Sequence, residues 1–170
     1  MTLPDAEQTL AALVLEMRGS VAFDARFVGI YSGGAWLADR LAQAIPGDHP
    51  VGYIDVSYYR DDFNRTGLKP AVRTSEIPFA VEGARIVLVD DVLYTGRSVR
   101  AAINELFDYG RPAGIELAVL IDRGGRELPV EATWAGARIA VARDVSVVLS
   151  RGGDGRLALA TEQAPEAGNA

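Results

Sequence analysis

One short stretch limits the folds open to this chain more than any other. Residues 85–91 read RIVLVDD, and the apolar residues occupy both faces that an extended strand would present. A strand buried on both faces is typical of the centre of a parallel sheet that helices cover on each side. The stretch ends in two adjacent carboxylates, Asp90 and Asp91. It therefore predicts a central parallel strand that carries acidic groups to its carboxyl end.

The segments around this strand alternate between helical and extended patterns. Apolar residues at helical spacing predict helices at 5–17, 35–45 and 98–109. Short apolar runs predict strands at 27–31, 51–59 and 114–122. This alternation predicts an α/β domain with a mostly parallel sheet flanked by helices.

The pattern changes after Asp122. Short β segments at 138–149 and 156–161 flank RGGDG at 151–155, which is a hairpin signal. We therefore predict one domain over residues 1–161 with a small β extension, and a disordered tail over residues 162–170.

Residues 60–75 are polar, charged and nearly without periodicity. A stretch of this length inside a compact domain is usually a functional loop or a disordered one. Its four basic residues are candidates for contact with an anionic ligand: Arg60, Arg65, Lys69 and Arg73.

Composition excludes several kinds of site. The 170 residues contain no Cys and a single histidine, His49. Disulfides and thiolate metal sites are therefore excluded, and a Ser-His-Asp triad is disfavoured. The net charge of −6 does not attract polyanions. No apolar run approaches the roughly 20 residues of a membrane-spanning helix, so we expect no membrane partner and a cytoplasmic location.

The acidic strand end is followed by a small, hydroxyl-rich turn, Thr95-Gly96-Arg97-Ser98, at the start of a predicted helix. Unpaired backbone N–H groups and the helix dipole make such a turn suitable for a phosphate. The carboxylates of Asp90 and Asp91 suit sugar hydroxyls or Mg²⁺. Together the two features predict a site for a ribose phosphate, with the diol on the carboxylates and the phosphate on the turn.

Other interpretations of the acidic pair fit less well. A receiver domain has its acidic pair after the first strand and needs a later lysine at a strand end, whereas the only lysine here is Lys69 in the polar segment. Neither a P-loop nor a GxGxxG pattern is present. Carboxylates that merely cap a helix would not explain why the apolar strand ends in both.

Residues 86–98, IVLVDDVLYTGRS, resemble the phosphoribosyl-diphosphate (PRPP) signature of the type I phosphoribosyltransferases. The stretch is most similar to its form in the PyrR family of bifunctional pyrimidine operon regulators and uracil phosphoribosyltransferases. Three further stretches fit the same family: VGIYSGGAWLADRL at 28–41, DVSYYRDD at 55–62 and VLIDRGGRELP at 119–129. The similarity extends over about residues 5–161 and implies the type I phosphoribosyltransferase fold.

The resemblance implies transfer of ribose 5-phosphate from PRPP to uracil, which gives UMP and pyrophosphate, by a dimer or tetramer that uses Mg²⁺. It assigns catalysis to Asp90 and Asp91, which hold the ribose hydroxyls, and Mg²⁺ mainly to PRPP with these carboxylates in reach. It implies that Asp122 and Arg123 border the base and that the segment 60–75 closes over PRPP. The residues implied to bind PRPP or the nucleotide are Ser32, Gly33, Gly34, Arg60, Arg73, Asp90, Asp91, Val92, Leu93, Tyr94, Thr95, Gly96, Arg97 and Ser98.

The chain departs from the family pattern at two places. Many PyrR relatives have Thr-Arg-Gly where this chain has Ser32-Gly33-Gly34, so one arginine near the pyrophosphate is missing. Relatives that bind mRNA tend to have His at the position of Gly125 and a basic residue at that of Glu131. Two alternatives to a uracil enzyme therefore stay open. One is a UMP-sensing, RNA-binding attenuation regulator of pyrimidine genes, and the other is a phosphoribosyltransferase for another base, such as a purine.

Overall fold

The computed structural model describes residues 2–57 and 74–164. In these ranges the chain forms three helices and seven strands. The helices are α1 (Ala6–Met17), α2 (Gly33–Ala44) and α3 (Arg97–Tyr109). The strands are β1 (Arg26–Ile30), β2 (Val51–Ile54), β3 (Arg85–Leu93), β4 (Gly114–Asp122), β5 (Trp134–Arg138), β6 (Val145–Arg151) and β7 (Leu157–Gln163). None of the helices in the described ranges is long and apolar enough to cross a membrane.

The main sheet has five strands in the order β2-β1-β3-β4-β5, and each neighbouring pair is parallel. Strand β3 lies at its centre, as its sequence predicts. Val87 and Val89 pack into the apolar cluster under α1 and α2, whereas Ile86 and Leu88 pack into the cluster under α3. The alternation along one strand thus builds both halves of the core, and the prediction of a helix-covered parallel sheet is confirmed.

The strand order places a crevice at one edge of this sheet. From β1 the chain crosses outward to β2, and from β3 it crosses in the opposite direction to β4. In open α/β sheets ligands bind outside the carboxyl ends of the strands at the point where the order reverses. That point lies between the ends of β1 and β3, which are followed by Tyr31 and by Tyr94.

Two strands of the main sheet differ from the prediction, and β6 begins at Val145 rather than at residue 138. Strand β2 ends at Ile54, and on the edge that faces away from β1 the backbone N–H of Asp55 donates to the Ser75 hydroxyl at 3.2 Å. Strand β5, WAGAR, was not predicted, because its residues are small rather than strongly apolar. A Cβ at Gly136 would lie 2.7 Å from the Thr9 carbonyl oxygen, so the close approach of α1 requires glycine there.

The predicted hairpin at RGGDG is confirmed and forms a separate two-stranded sheet of β6 and β7. Strand β7 continues to Gln163, so it takes in the first two residues of the segment 162–170 that was expected to be disordered. Residues 165–170 lie outside the described ranges.

One carboxylate joins three elements on the outer side of the domain. Glu7 on α1 accepts hydrogen bonds from Arg40 on α2 at 2.9 and 2.6 Å and from the Leu157 backbone N–H on β7 at 2.8 Å. The Arg40 guanidinium and the Leu157 N–H lower the pKa of Glu7 from 4.5 to about 2. A carboxyl group whose pKa is depressed by folding stabilises the fold above its ordinary pKa and loses this effect as the pH falls.

We therefore predict that Glu7→Gln lowers the free energy of unfolding by about 1 kcal/mol near neutral pH, the size of a partly exposed ion pair. The difference between the two proteins should shrink as the pH falls from 4.5 to about 2, where wild-type Glu7 becomes protonated. Urea unfolding across this range measures it. The matched control is Glu162→Gln at an exposed position on β7. A difference that stays constant with pH would contradict the assignment.

Candidate active site

A cavity of about 290 Å³ opens at the carboxyl end of β3. Its walls come from the strand end, the first turn of α3 and the middle of β6. The lining residues are Asp90, Asp91, Val92, Leu93, Tyr94, Thr95, Gly96, Arg97, Ser98, Val99, Arg123, Ser146, Val147 and Val148. All of the predicted residues from 90 to 98 therefore share one cavity with Arg123. The contribution of the hairpin was not predicted, because it depends on how β6 docks against the strand ends.

The acidic pair is held in place by its own backbone. Asp90 is only 3% exposed, and its Oδ1 accepts a hydrogen bond from the Asp91 N–H at 2.9 Å. The Oδ1 atom of Asp91 accepts from the Val92 N–H at 2.9 Å. These bonds fix the orientation of both carboxylates, which line the cavity at the carboxyl end of β3. Such a pair can accept hydrogen bonds from a diol or bind a divalent cation.

The turn after the acidic pair leads directly into α3. Gly96 has φ +91°, a left-handed conformation that favours glycine, and α3 begins at the next residue. Thr95 is buried, and its carbonyl oxygen accepts from the N–H groups of Glu127 and Leu128 at 3.0 and 3.1 Å. The Arg97 N–H donates to the Thr95 hydroxyl at 3.3 Å, and the first turn of α3 lines the cavity. The amide groups and dipole at a helix start suit an anion.

The stretch RELP, 126–129, supports this turn from behind. A Cβ at Gly96 would lie 3.2 Å from Cβ of Val130, so the turn packs directly on the chain that follows RELP. The Arg97 guanidinium donates to Glu127 at 3.0 and 2.8 Å, and both side chains are about half exposed. The contribution of Arg97 to a phosphate site would thus come from its backbone and its place at the helix start.

The turn between β1 and α2 lies against the acidic pair. Helix α2 begins at Gly33, two residues earlier than predicted, so Gly33 and Gly34 form its first turn. A Cβ at Gly33 would lie 2.7 Å from Cγ of Asp91, and one at Gly34 would lie 3.1 Å from Cα of Asp90. The peptide bond between Tyr31 and Ser32 is cis. This packing permits no side chain at position 33 unless Asp91 moves.

Asp122 does not line the cavity, although the sequence placed it beside the base. Its carboxylate accepts from the Gly124 N–H at 3.0 Å and from Arg126 at 2.6 Å. Burial raises the pKa of Asp122, but the hydrogen bonds from Arg126 and Gly124 outweigh burial and hold the pKa below its ordinary value. Arg126 also donates to the carbonyl oxygens of Val130 and Tyr94, at 2.7 and 3.1 Å. The ion pair of Asp122 and Arg126 therefore holds the RELP stretch against the end of β4 and against Tyr94, which lines the cavity.

Arg123 is 5% exposed and does line the cavity. It donates to the carbonyl oxygens of Val145 at 2.6 Å and Ala142 at 2.8 Å, and its Cζ lies 4.0 Å from the centre of the Tyr94 ring. Burial lowers the pKa of Arg123 and Tyr94 partly opposes this, but an arginine remains charged at neutral pH. Its contacts join the hairpin to the strand end.

The hydrogen-bond register of the hairpin shows which way its backbone faces. In an antiparallel pair, residues alternate between bonding the partner strand and pointing away from it. The Asp144 carbonyl accepts from the Ala164 N–H, so Asp144 faces β7 and Val145 faces away, where its carbonyl meets Arg123. Val147, two residues on, presents its N–H and C=O on the same edge. This edge offers one donor and one acceptor side by side at the cavity.

The four basic residues of the predicted closing segment lie outside the described residues: Arg60, Arg65, Lys69 and Arg73. Within the described ranges, no group of three or more His, Cys, Asp or Glu side chains is arranged to hold a metal ion. The acidic pair alone fits a Mg²⁺ ion that takes most of its ligands from a bound phosphate compound and water.

Comparison with known proteins agrees with this geometry. The phosphoribosyl transferase domain family matches residues 11–146. "Bifunctional protein PyrR" from Ralstonia nicotianae is 51% identical over 155 residues, which cover 89% of this chain and 88% of the relative. The protein of the same name from Pseudomonas syringae pv. syringae is 46% identical over 154 residues, covering 88% and 91% of the two chains.

Solved structures that resemble the chain share its fold at low sequence identity. A hypoxanthine-guanine phosphoribosyltransferase from Bacillus anthracis superimposes with a TM-score of 0.64 and 18% identity over 85% of each chain. The enzyme from Leishmania tarentolae in complex with GMP gives a TM-score of 0.62 and 19% identity over 85% of this chain and 84% of that one.

Proposed function

Since the chain belongs to the phosphoribosyltransferase family and, within it, to the PyrR proteins, we propose that it transfers ribose 5-phosphate from PRPP to uracil. The products are UMP and pyrophosphate. The observation that carries this proposal is the joining of an acidic pair, a phosphate turn and an edge of backbone donors and acceptors in one cavity.

The parts of PRPP are assigned by charge and position. Asp90 and Asp91 accept hydrogen bonds from the ribose hydroxyls, and the 5′-phosphate lies on the turn of residues 95–98, where the α3 amides and dipole favour an anion. The pyrophosphate lies toward the first turn of α2 at 32–34, which packs against Asp91. This arrangement keeps each phosphate at a helix start and the sugar between them.

Mg²⁺ bound mainly by PRPP would neutralise charge that develops on the departing pyrophosphate. Asp90 and Asp91 are the residues in reach of such an ion, and their adjacency supports the assignment. The same two carboxylates favour the positive charge that the sugar acquires as pyrophosphate leaves. The acidic pair thus binds the ground state and stabilises the transition state more strongly.

The base is assigned to the hairpin side of the cavity. Val147 presents a backbone N–H and C=O on the edge that faces away from β7. Uracil carries a carbonyl oxygen next to its N3–H, and these groups match that donor and acceptor. Arg123 holds this edge of β6 near the end of β3. Asp122 lies outside the cavity and orients Arg126. The pairing favours bases with a C=O beside an N–H and disfavours adenine.

The experiment that tests the function uses the whole protein with Mg²⁺ and PRPP, and one free base at a time. We expect UMP and pyrophosphate from uracil, with slower reaction or none from cytosine, adenine, hypoxanthine and guanine. Preferential formation of IMP or GMP would make a purine the substrate. No nucleotide from any base would contradict the enzyme assignment.

A second function is suggested by the word bifunctional in the names of the relatives, but two residues weigh against RNA binding. Gly125 has φ +79°, and a Cβ there would lie 2.8 Å from Cδ2 of Tyr94, which leaves no room for a larger residue without a shift. Glu131 is 82% exposed and its carboxylate is 3.8 Å from Arg126. Each phosphate contact that is lost weakens RNA binding steeply at physiological salt.

We therefore predict that the protein binds the leader RNA of its own pyrimidine operon weakly and without sequence preference. A gel-shift titration at about 0.15 M salt tests this, with a scrambled RNA of equal length as the control. Glu131→Arg should strengthen binding. Nanomolar, sequence-specific binding that UMP enhances would make regulation the primary function.

The family resemblance also implies a dimer or tetramer. This oligomeric state stays a prediction, which sedimentation analysis would test.

A further inference from the structure

Two arginines, one buried and one partly buried, lie three residues apart and have different electrostatic partners. The charge of Arg126 is paired with the Asp122 carboxylate at 2.6 Å. Arg123 is more deeply buried, yet among the described residues no carboxylate pairs with it. The guanidinium donates to two backbone carbonyl oxygens. Its Nε–H is buried and has no hydrogen-bond partner among the described residues.

A buried cation without an anionic partner is costly, because neither water nor a carboxylate compensates the lost hydration. Hydrogen bonds to carbonyl oxygens and the face of the Tyr94 ring supply part of the compensation. The rest becomes available when negative charge develops in the cavity that Arg123 lines. The position of the residue therefore indicates a ligand that is, or becomes, anionic near it.

The phosphates of PRPP are not that anion, since the proposed function places them at the starts of α2 and α3. Arg123 instead lies at the hairpin end, where it fixes the edge that carries Val147. The base proposed for this end, uracil, is neutral when free but must lose its N1 proton to form a nucleotide. On the basis of the proposed transferase function, we infer that the unpaired charge of Arg123 stabilises the N1 anion of bound uracil, so that the base attacks as an anion.

The step balances without any further reactant. The N1–H bond of uracil breaks, its electron pair stays on N1 and the proton passes to solvent water. The N1 electron pair then forms the bond to C1′ of the ribose, while the bond from C1′ to the pyrophosphate oxygen breaks and its electrons leave with pyrophosphate. Arg123 keeps its proton throughout and acts by its charge.

Among the residues that the structure describes, the other charged groups around the cavity do not provide this positive charge. Asp90 and Asp91 lie at the sugar end and carry the opposite sign. The guanidinium of Arg97 is held by Glu127, and that of Arg126 by Asp122 behind the wall. Two further charged residues, Arg143 and Asp144, directly precede β6 and are exposed.

The pair of arginines offers a matched comparison. Arg123→Gln removes the unpaired charge, whereas Arg126→Gln removes a charge that is already paired and serves as its control. Each variant is assayed with PRPP and either uracil or 5-fluorouracil, whose N1–H is more acidic and needs less help to ionise. We expect Arg123→Gln to lower kcat/KM for uracil by about 100-fold. The loss of kcat/KM for 5-fluorouracil should be only about tenfold. Arg126→Gln should affect both bases by the same factor.

The pH profile gives a second readout. With Arg123→Gln, the rise of kcat for uracil with pH should move to higher pH, because the N1 anion of the bound base is less stable and kcat reports ionisations in the bound complex. If Arg123→Gln does not fold, Arg123→Lys replaces it: a profile like that of the wild type supports the inference, and one displaced to higher pH overturns it. Equal loss for both bases in Arg123→Gln would also overturn it, since a purely structural role slows both alike. Absence of UMP from the wild-type protein would instead overturn the proposed function, together with the inference that rests on it.

Discussion

Replacement of both Asp90 and Asp91 by Asn is expected to lower the rate of UMP formation by about three orders of magnitude without unfolding the protein. Each Oδ1 atom accepts a hydrogen bond from the next backbone N–H at 2.9 Å, and an Asn oxygen accepts the same bond. Asn lacks the negative charge that binds the ribose hydroxyls and Mg²⁺ and favours the cationic sugar. The loss should therefore fall on catalysis rather than on folding.

The measurement pairs steady-state kinetics with thermal unfolding of the same samples. We expect the melting temperature of the double variant to stay within a few degrees of the wild type. Asp108→Asn, an exposed position on α3, is the control and should leave activity unchanged. Full residual activity of the double variant would remove the acidic pair from the mechanism. Collapse of its fold would show that the carboxylates are structural.

The parts of the fold that local pattern determines were predicted from the sequence. Strand β3 was recognised because its consecutive apolar residues predict burial on both faces. The turn at 95–98 was recognised because it directly follows this strand. Strand β5 was missed, since Gly136 is dictated by the approach of the Thr9 carbonyl, a contact made far along the chain. Its composition reflects the helix that covers it and carries little strand signal.

The candidate site divides in the same way. Residues 90–98 were predicted as a unit because a single contiguous motif carries them, and they line one cavity. Asp122 and Arg123 are neighbours in sequence but point to different partners, Arg126 and the hairpin carbonyls. Residue type alone does not reveal this difference. The role of Val147 depends on strand register, which becomes defined only when β6 pairs with β7.

Position 33 carries the second large effect, because the missing side chain and the acidic pair compete for the same space. A Cβ at Gly33 would lie 2.7 Å from Cγ of Asp91, well inside van der Waals contact. Asp91 would have to rotate away and give up its hydrogen bond to the Val92 N–H. A shift of about 1 Å in a group that orients the substrate can cost about 100-fold in rate.

Gly33→Ala is therefore expected to lower kcat/KM for PRPP by about 100-fold. Gly33→Arg, which introduces the arginine of many PyrR relatives, should recover no activity over Gly33→Ala, because its Cβ meets Asp91 in the same way. The control is Gly114→Ala at the start of β4, where a Cβ meets nothing within 4 Å. Steady-state kinetics with PRPP varied at saturating uracil measures the three variants. Activity of Gly33→Arg above that of the wild type would mean that Asp91 yields readily and that a cation at the pyrophosphate matters more than the position of this carboxylate.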